Sequence, residues 1–272
     1  MYDHLCKMII GNEEVLSRII KVAVDEAKHL SIEEIRRLIE GVHIGNRIVN
    51  PHFHLVDKEG FIKDEGMVYY DILCYIDVPQ EDGKNIRVYL NVEIQNNPYP
   101  GYSIITRGYA YVSRIVSGQW GSEYDYQHYD GMKKVYSLWI MPKAPKRKDG
   151  HMNVYETDER IICGTTVEEK EIYDKGVILA IYLNKEHDLN KKYEVYDELL
   201  TPLMVLLNNV LDYKGKQRII EEYGLNTKKI ESEVKDMCDL GESIALETRN
   251  EGKQIERKEK NIAHVKKLMI GL

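Results

Sequence analysis

Apolar positions recur at two different spacings along this chain, and they divide it into segments. In "NEEVLSRIIKVAVDEAKHL", Val15, Ile19, Val22 and Ala23 fall on one helical stripe, with acids in the first turn. "SIEEIRRLIEG" opens with Ser31 and Glu34, the spacing of a capping box, and stops at Gly41. Residues 12–40 are therefore predicted helical. From about residue 47 to 95 the spacing changes to alternation, punctuated by "DKEG", "KDEG" and "EDGK", which predicts strands joined by turns. "PGYSIITRGYAYVSRIVSGQW" predicts a helix beginning after Pro100 and Gly101. Its buried stripe would be Ile105, Tyr109 and Val112, with Arg107, Tyr111 and Arg114 on a neighbouring face. "KKVYSLWIM" (133–141) and "GVILAIYL" (176–183) are unbroken apolar runs of strand length. The strand–helix–strand succession over 87–141 predicts an α/β fold whose mixed sheet contains at least one crossover. Beyond 190 the pattern is helical. "YDELLTPLMVLLNNVLDY" is apolar nearly all round and should dock on the body, whereas the charge-rich stretch from about 240 reads as a solvated helix or tail. Three parts are thus expected: 1–190, 191–240 and 241–272.

The hairpin "YYDILCYIDVPQEDGKNIRVYLNVEIQNN" (69–97) carries the candidate chemistry. A three-residue loop Glu81-Asp82-Gly83, with Gly83 in the left-handed conformation, sets Gln80 opposite Lys84. Carried down the ladder, that register sets Asp71 opposite Glu93, with Gln95 on the same face and Ile72, Val92 and Ile94 on the other. Like charges directly opposed destabilise a hairpin unless a cation lies between them. Two readings follow: an exposed acid beside a strand end, or a pair of hard oxygen ligands for Mg²⁺ or Mn²⁺.

Composition alters this picture in three ways. A net charge of −7 argues against coating of nucleic acid, so any such contact must use a local basic patch. Four scattered cysteines without a CxxC pair, no signal-peptide architecture and no membrane-length apolar run lead us to expect a soluble cytoplasmic protein that does not enter a membrane. With 20 tyrosines against 2 Phe and 2 Trp, rings that keep one wet edge should dominate half-buried surfaces. There is no phosphate-binding glycine loop, dinucleotide fingerprint or GxSxG elbow, so ATPase, dehydrogenase and serine-hydrolase functions have no support.

Asp71, a hairpin of about twenty residues, and then Glu93-Ile94-Gln95 resemble the PD-(D/E)XK nuclease signature. The resemblance is to the branch of nuclease-family transposases of the recombination-promoting type, where glutamine often replaces the lysine. It extends to "VYYDILCYI", "LNVEIQNNPYPGYSIITRGYAYVSRIVSGQWGSEY", "HYDGMKKVYSLWIM", "VLLNN" and "MCDLGESIALETRNEG". It implies a restriction-endonuclease-like core, a mixed sheet flanked by helices, over 1–190, with a helical C-terminal extension. It also implies a Mg²⁺- or Mn²⁺-dependent DNA endonuclease tied to transposition or recombination. Asp71 and Glu93 would hold the metal and Gln95 would take the lysine position. Glutamine can orient water but cannot neutralise developing charge, so Arg107, or Arg114 in second place, is the expected source of positive charge. An additional acid from the first helices is also expected, with Glu26 ahead of Glu14 and Glu40. The alternative is a catalytically inactive relative that uses the same scaffold to bind nucleic acid or protein.

"KAPKRK" supplies Lys143, Lys146, Arg147 and Lys148, either as a solvated loop or as phosphate contacts to DNA. Tyr102, Tyr109 and Tyr111 could stack on bases, although helical spacing favours the core for Tyr109. His52 and His54 lack companion ligands and read as ordinary histidines. Ile255, Ile262, Val265, Leu268 and Met269 could join copies of the chain through the C-terminal helices.

Overall fold

The structure is a computed structural model that describes residues 2–39, 53–55, 59–62, 66–97, 99–148, 150–183, 196–207, 211–225, 228 and 230–239. Helix α1 (Tyr2–Ile10) leads into α2 (Glu13–Ala23), whose first turn is capped by Asn12 through a 3.0 Å bond from Glu14 N–H. A short 3₁₀ turn at Asp25–Ala27 follows. Then comes α3 (Ile32–Ile39), where the Ser31–Glu34 capping box forms as the sequence predicts.

The strands are β1 (Phe53–Leu55), β2 (Glu59–Ile62), β3 (Gly66–Tyr69), β4 (Ile72–Pro79), β5 (Asn85–Ile94), β6 (Lys134–Met141), β7 (Met152–Tyr155) and β8 (Gly176–Tyr182). Helix α4 (Ile104–Gly118) links β5 to β6, and a single turn α5 (Lys170–Tyr173) precedes β8. Helices α6 (Asp197–Leu206) and α7 (Tyr213–Glu222) follow, and residues 230–239 are helical. Six strands form one mixed sheet in the order β1-β4-β5-β6-β8-β7, while β2 and β3 pair separately. Neighbours β5, β6 and β8 run parallel and the outer pairs antiparallel. The molecule is thus an α/β fold with a mixed sheet flanked by helices. Among the described residues, no helix is long and apolar enough to cross a membrane.

One core runs from Cys6 to Cys238 and fills the face covered by α1, α2, α3, α6 and α7. In α6 every residue from Leu199 to Leu206 is buried, which is what an all-apolar helix requires. The opposite face is covered by α4 and is richer in aromatic residues: Tyr70, Tyr89, Tyr111 and Trp139 join Leu73, Val135 and Ile178.

The buried stripe of α4 differs from the predicted one. It consists of Ile104, Gly108, Tyr111, Val112 and Ile115, while Tyr109 is half exposed and Ile105 only partly covered. The helix is rotated because Gly108 sits directly over the sheet. A Cβ there would lie 3.0 Å from Ile178 Cγ2 and 3.1 Å from Trp139 Nε1, so glycine sets the line of closest approach. Strand β7 is a further difference, since its four residues carry too short a pattern to be seen in sequence. The C-terminal residues expected to self-associate, Ile255 to Met269, lie outside the described residues, as do His52 and Glu40.

Candidate functional site at the divergence of two strands

The hairpin has the register that its turn predicts. Gly83 adopts φ +82°, Gln80 N–H donates to Lys84 O at 2.8 Å, and the ladder runs from Pro79↔Asn85 to Ile72↔Val92. One step further, where Asp71 and Glu93 meet, side chains replace the ladder. Asp71 N–H donates to Glu93 Oε1 at 3.1 Å, and Ile94 N–H donates to Asp71 Oδ2 at 2.9 Å. Asp71 Oδ2 therefore takes the Ile94 amide that the next bonded pair of a longer ladder would have used, and the strands part there. Strand β5 meanwhile stays attached to β6, through Gln95 N–H to Ile140 O at 2.8 Å.

Glu93 is not the exposed acid of the alternative reading; it is 5% exposed and lies beneath α4. A polar chain holds it. Asn91 Nδ2 donates to Glu93 Oε1 at 2.8 Å, Ser137 Oγ to Asn91 Oδ1 at 2.9 Å, and Trp139 Nε1 to Ser137 Oγ at 3.0 Å. Asn91 and Ser137 are fully buried, so these bonds satisfy groups that would otherwise be costly. No hydrogen bond from a described residue reaches Glu93 Oε2. Burial, reinforced by the neighbouring charge of Asp71, pushes the Glu93 carboxyl up to about 7, while its bonds and the field of Arg107 act the other way.

Arg107 does come to this site. Its guanidinium lies 5.2 Å from the Trp139 ring and 5.0 Å from that of Tyr111, and it donates to the Tyr111 hydroxyl and, at 2.8 Å, to that of Tyr102. The arginine is thus held by three rings beside Glu93 rather than paired in solvent. Tyr70 closes the cluster edge-on against Tyr111 at 5.2 Å. Gln95 is partly exposed and its amide donates to Asn97 O at 2.7 Å, so it stands at the rim.

No acid from the N-terminal helices joins the pair among the described residues; a lysine does. Lys7, on α1, places Nζ 2.8 Å from Asp71 Oδ1. Glu26 instead accepts a bond from Tyr136 at 2.7 Å, on the other face of the sheet and towards the opposite end of β6. Glu14 is taken by Arg18 and Arg36. These acids answer to nearby cations and a hydroxyl, which is why their place on a helix is no guide to the site.

The basic turn lies at the same end of the parallel strands. Arg147 is exposed, Lys143 is exposed, and Lys148 donates to Tyr182 OH at 2.9 Å with its ammonium 4.2 Å from that ring. Lys146 begins a 3₁₀ turn. Arg147 and Lys148 line a cavity of about 230 Å³ together with Tyr99, Tyr102, Ile104 and Met141. Tyr102 belongs to both the cavity and the Arg107 cluster, so the two adjoin. Carboxyl ends of parallel strands are where open α/β sheets place their ligands.

Sequence reading misses Lys7, Asn91 and Ser137. Asn91 and Ser137 leave a trace, as single polar residues interrupting apolar strands; Lys7 leaves none. Among the described residues there is no group of three or more His, Cys, Asp or Glu side chains that could hold a metal ion. No family model matches this chain, and neither a curated protein nor a solved structure matches it.

Proposed function

We propose that this chain is a divalent-metal-dependent DNA endonuclease with a restriction-endonuclease-like core. The observation that carries this reading is the pair of carboxylates that ends the β4–β5 ladder. One is solvent-poor and the other lies directly opposite, an arrangement that a shared divalent cation would reward at neutral pH. The order of elements supports it: a meander of β1, β4 and β5, the α4 crossover, and β6 parallel to β5.

The donor set suits Mg²⁺ or Mn²⁺. Asp71 and Glu93 offer hard oxygens, Glu93 Oε2 is left open by the described residues, and the remaining positions would go to water and phosphate, as such ions prefer. When bound, the ion would supply Lewis-acid polarisation of the phosphate and a more acidic water. Asn91 fixes the Glu93 carboxylate in place. Gln95 at the rim can orient water for attack on phosphorus, in line with the departing 3′ oxygen, to leave a 3′-hydroxyl and a 5′-phosphate. Arg107 and Lys7 flank the carboxylates and provide the positive charge that glutamine cannot. Arg147 and Lys148 would steady neighbouring phosphates, a local answer to the overall charge of −7.

A second reading has one specific support. The 2.8 Å contact from Lys7 to Asp71 already neutralises a carboxylate, so the site can be closed without a metal, as a non-catalytic binding module would have it. Supercoiled plasmid incubated with Mg²⁺, Mn²⁺ or EDTA separates the two. The nuclease reading expects metal-dependent nicking by the wild type and none by Asp71→Ala or Glu93→Ala. Nicking that survives either substitution removes these residues from the chemistry, and a wild type inert under every metal condition favours the binding module.

A further inference from the structure

Among the described residues, every exposed large aliphatic side chain lies in one stretch. Val154 is 57% exposed, Ile161 45%, Ile162 86%, Val167 67% and Ile172 58%, whereas the other exposed large apolar residues are tyrosines and Trp120. The stretch comprises edge strand β7, the loop 156–169 that follows it, and α5. The loop is tied at its base: Lys170 Nζ lies 2.8 Å from Glu156 Oε1, Glu168 N–H donates to Glu159 Oε2 at 2.9 Å, and Thr157 N–H donates to Asp174 Oδ1 at 3.1 Å. A loop clamped in this way, with isoleucines outward and all of 156–169 exposed, is built to be covered.

Charge identifies what covers it. Before β7, residues 143–149 hold four cations and one acid; after it, residues 156–171 hold six carboxylates and two cations. Among the described residues, strand β7 pairs on one side only, with β8, and ends the sheet. If two such edges meet about a two-fold axis they run antiparallel, and the start of each strand faces the end of the other. The basic turn of one copy then meets the acidic loop of its mate, twice over. Parallel or loop-to-loop contacts would oppose like charges instead.

We propose that this chain forms a two-fold homodimer through β7, with the aliphatic loop of each copy covered by the other and the basic turn set against the acidic loop. The pairing adds a strand to each edge, giving a sheet continuous across both copies. With four residues per edge strand, it is a modest interface. The dimer can be tested apart from the nuclease reading: it uses neither Asp71 nor Glu93, and although Arg147 of the basic turn is common to both, the test contains no metal or DNA.

Sedimentation of the full chain at tens of micromolar, without metal or DNA, tests it through a charge swap. One variant carries Lys143→Glu and Arg147→Glu, the other Asp158→Lys, Glu168→Lys and Glu169→Lys, all at exposed positions, and circular dichroism checks that both fold. The wild type should sediment as a dimer that weakens with salt, and each variant alone as a monomer. An equimolar mixture should recover the dimer, because both facing pairs are then of opposite sign. Ile162→Ser should weaken the dimer without being rescued by mixing. A monomeric wild type, charge variants that stay dimeric, or a folded mixture that stays monomeric each overturns the proposal.

Discussion

The two faces of the central sheet bury charge in different ways. On the thickly covered face Lys216 of α7 is 0% exposed, and its ammonium reaches Leu206 O at 3.2 Å and Met237 Sδ at 3.7 Å. Among the described residues no carboxylate pairs with it, and burial pulls it down to about 8. On the thin face Glu93 is nearly as buried, yet it sits at a strand end among an amide, a second carboxylate, a lysine and a ring-held arginine. The first is a charge stranded within a core. The second is a charge surrounded by groups that can act on a ligand. A perturbed pKa alone would rank both as sites, and only the surroundings tell them apart.

Four predictions bear on that contrast. The largest effect should come from Asp71→Ala or Glu93→Ala in the plasmid assay, a loss on the order of 1,000-fold in rate, as expected when several kcal/mol of metal-assisted stabilisation goes. Lys216→Met should leave nicking unchanged.

Stability should then respond to pH with opposite sign on the two faces. Free Glu93 titrates near 7 when folded and near 4.5 when unfolded, so between those values the folded chain holds the extra proton. The wild type accordingly loses stability as pH rises from 4.5 to 7. Metal-free Glu93→Gln should be more stable by up to roughly 3 kcal/mol at pH 8, with the advantage gone below pH 4.5, read by urea denaturation. Lys216 titrates near 8 folded and 10.5 unfolded, so here the unfolded chain holds the extra proton and the wild type gains stability as pH rises between them. Lys216→Met should therefore stabilise by about 1–3 kcal/mol at pH 7 and progressively less towards pH 10.5. Equal slopes for the two variants would erase the contrast.

The smallest effects concern how closely α4 lies on its face. At Gly176 a Cβ would meet Val112 Cγ1 at 2.5 Å, so Gly176→Ala should cost about 1–3 kcal/mol through forced displacement of the helix. At Gly108 the crowding against Ile178 and Trp139 opposes a gain of about 1 kcal/mol in helix propensity, and Gly108→Ala should lie within about 1 kcal/mol of neutral. Thermal denaturation of both variants checks the ranking.

Much of this is legible in sequence where local chemistry dictates geometry. A glycine at a tight turn sets the β4–β5 register, and with it the meeting of Asp71 and Glu93. Capping at Ser31 and the apolar runs of β6 and β8 can be read for the same reason. What escapes depends on distant partners. The rotation of α4 is set by the surface it lands on, so spacing alone puts Tyr109 inside and the structure puts it half outside. Lys7 reaches Asp71 from 64 positions away in sequence, and no pattern on its own helix marks it. The resemblance to the nuclease signature implies an acid from the first helices, which favours Glu26 in sequence, but Tyr136 and Lys134 hold it elsewhere.

The central claim is that Asp71 and Glu93 together hold a divalent cation, and Mn²⁺ binding followed by electron paramagnetic resonance tests it without requiring turnover. At pH 8 the wild type should take up one Mn²⁺ that Mg²⁺ displaces, and Asp71→Asn and Glu93→Gln should each lose it, while Lys216→Met keeps it. A wild type that binds no Mn²⁺, or a site that survives both substitutions, would contradict the account.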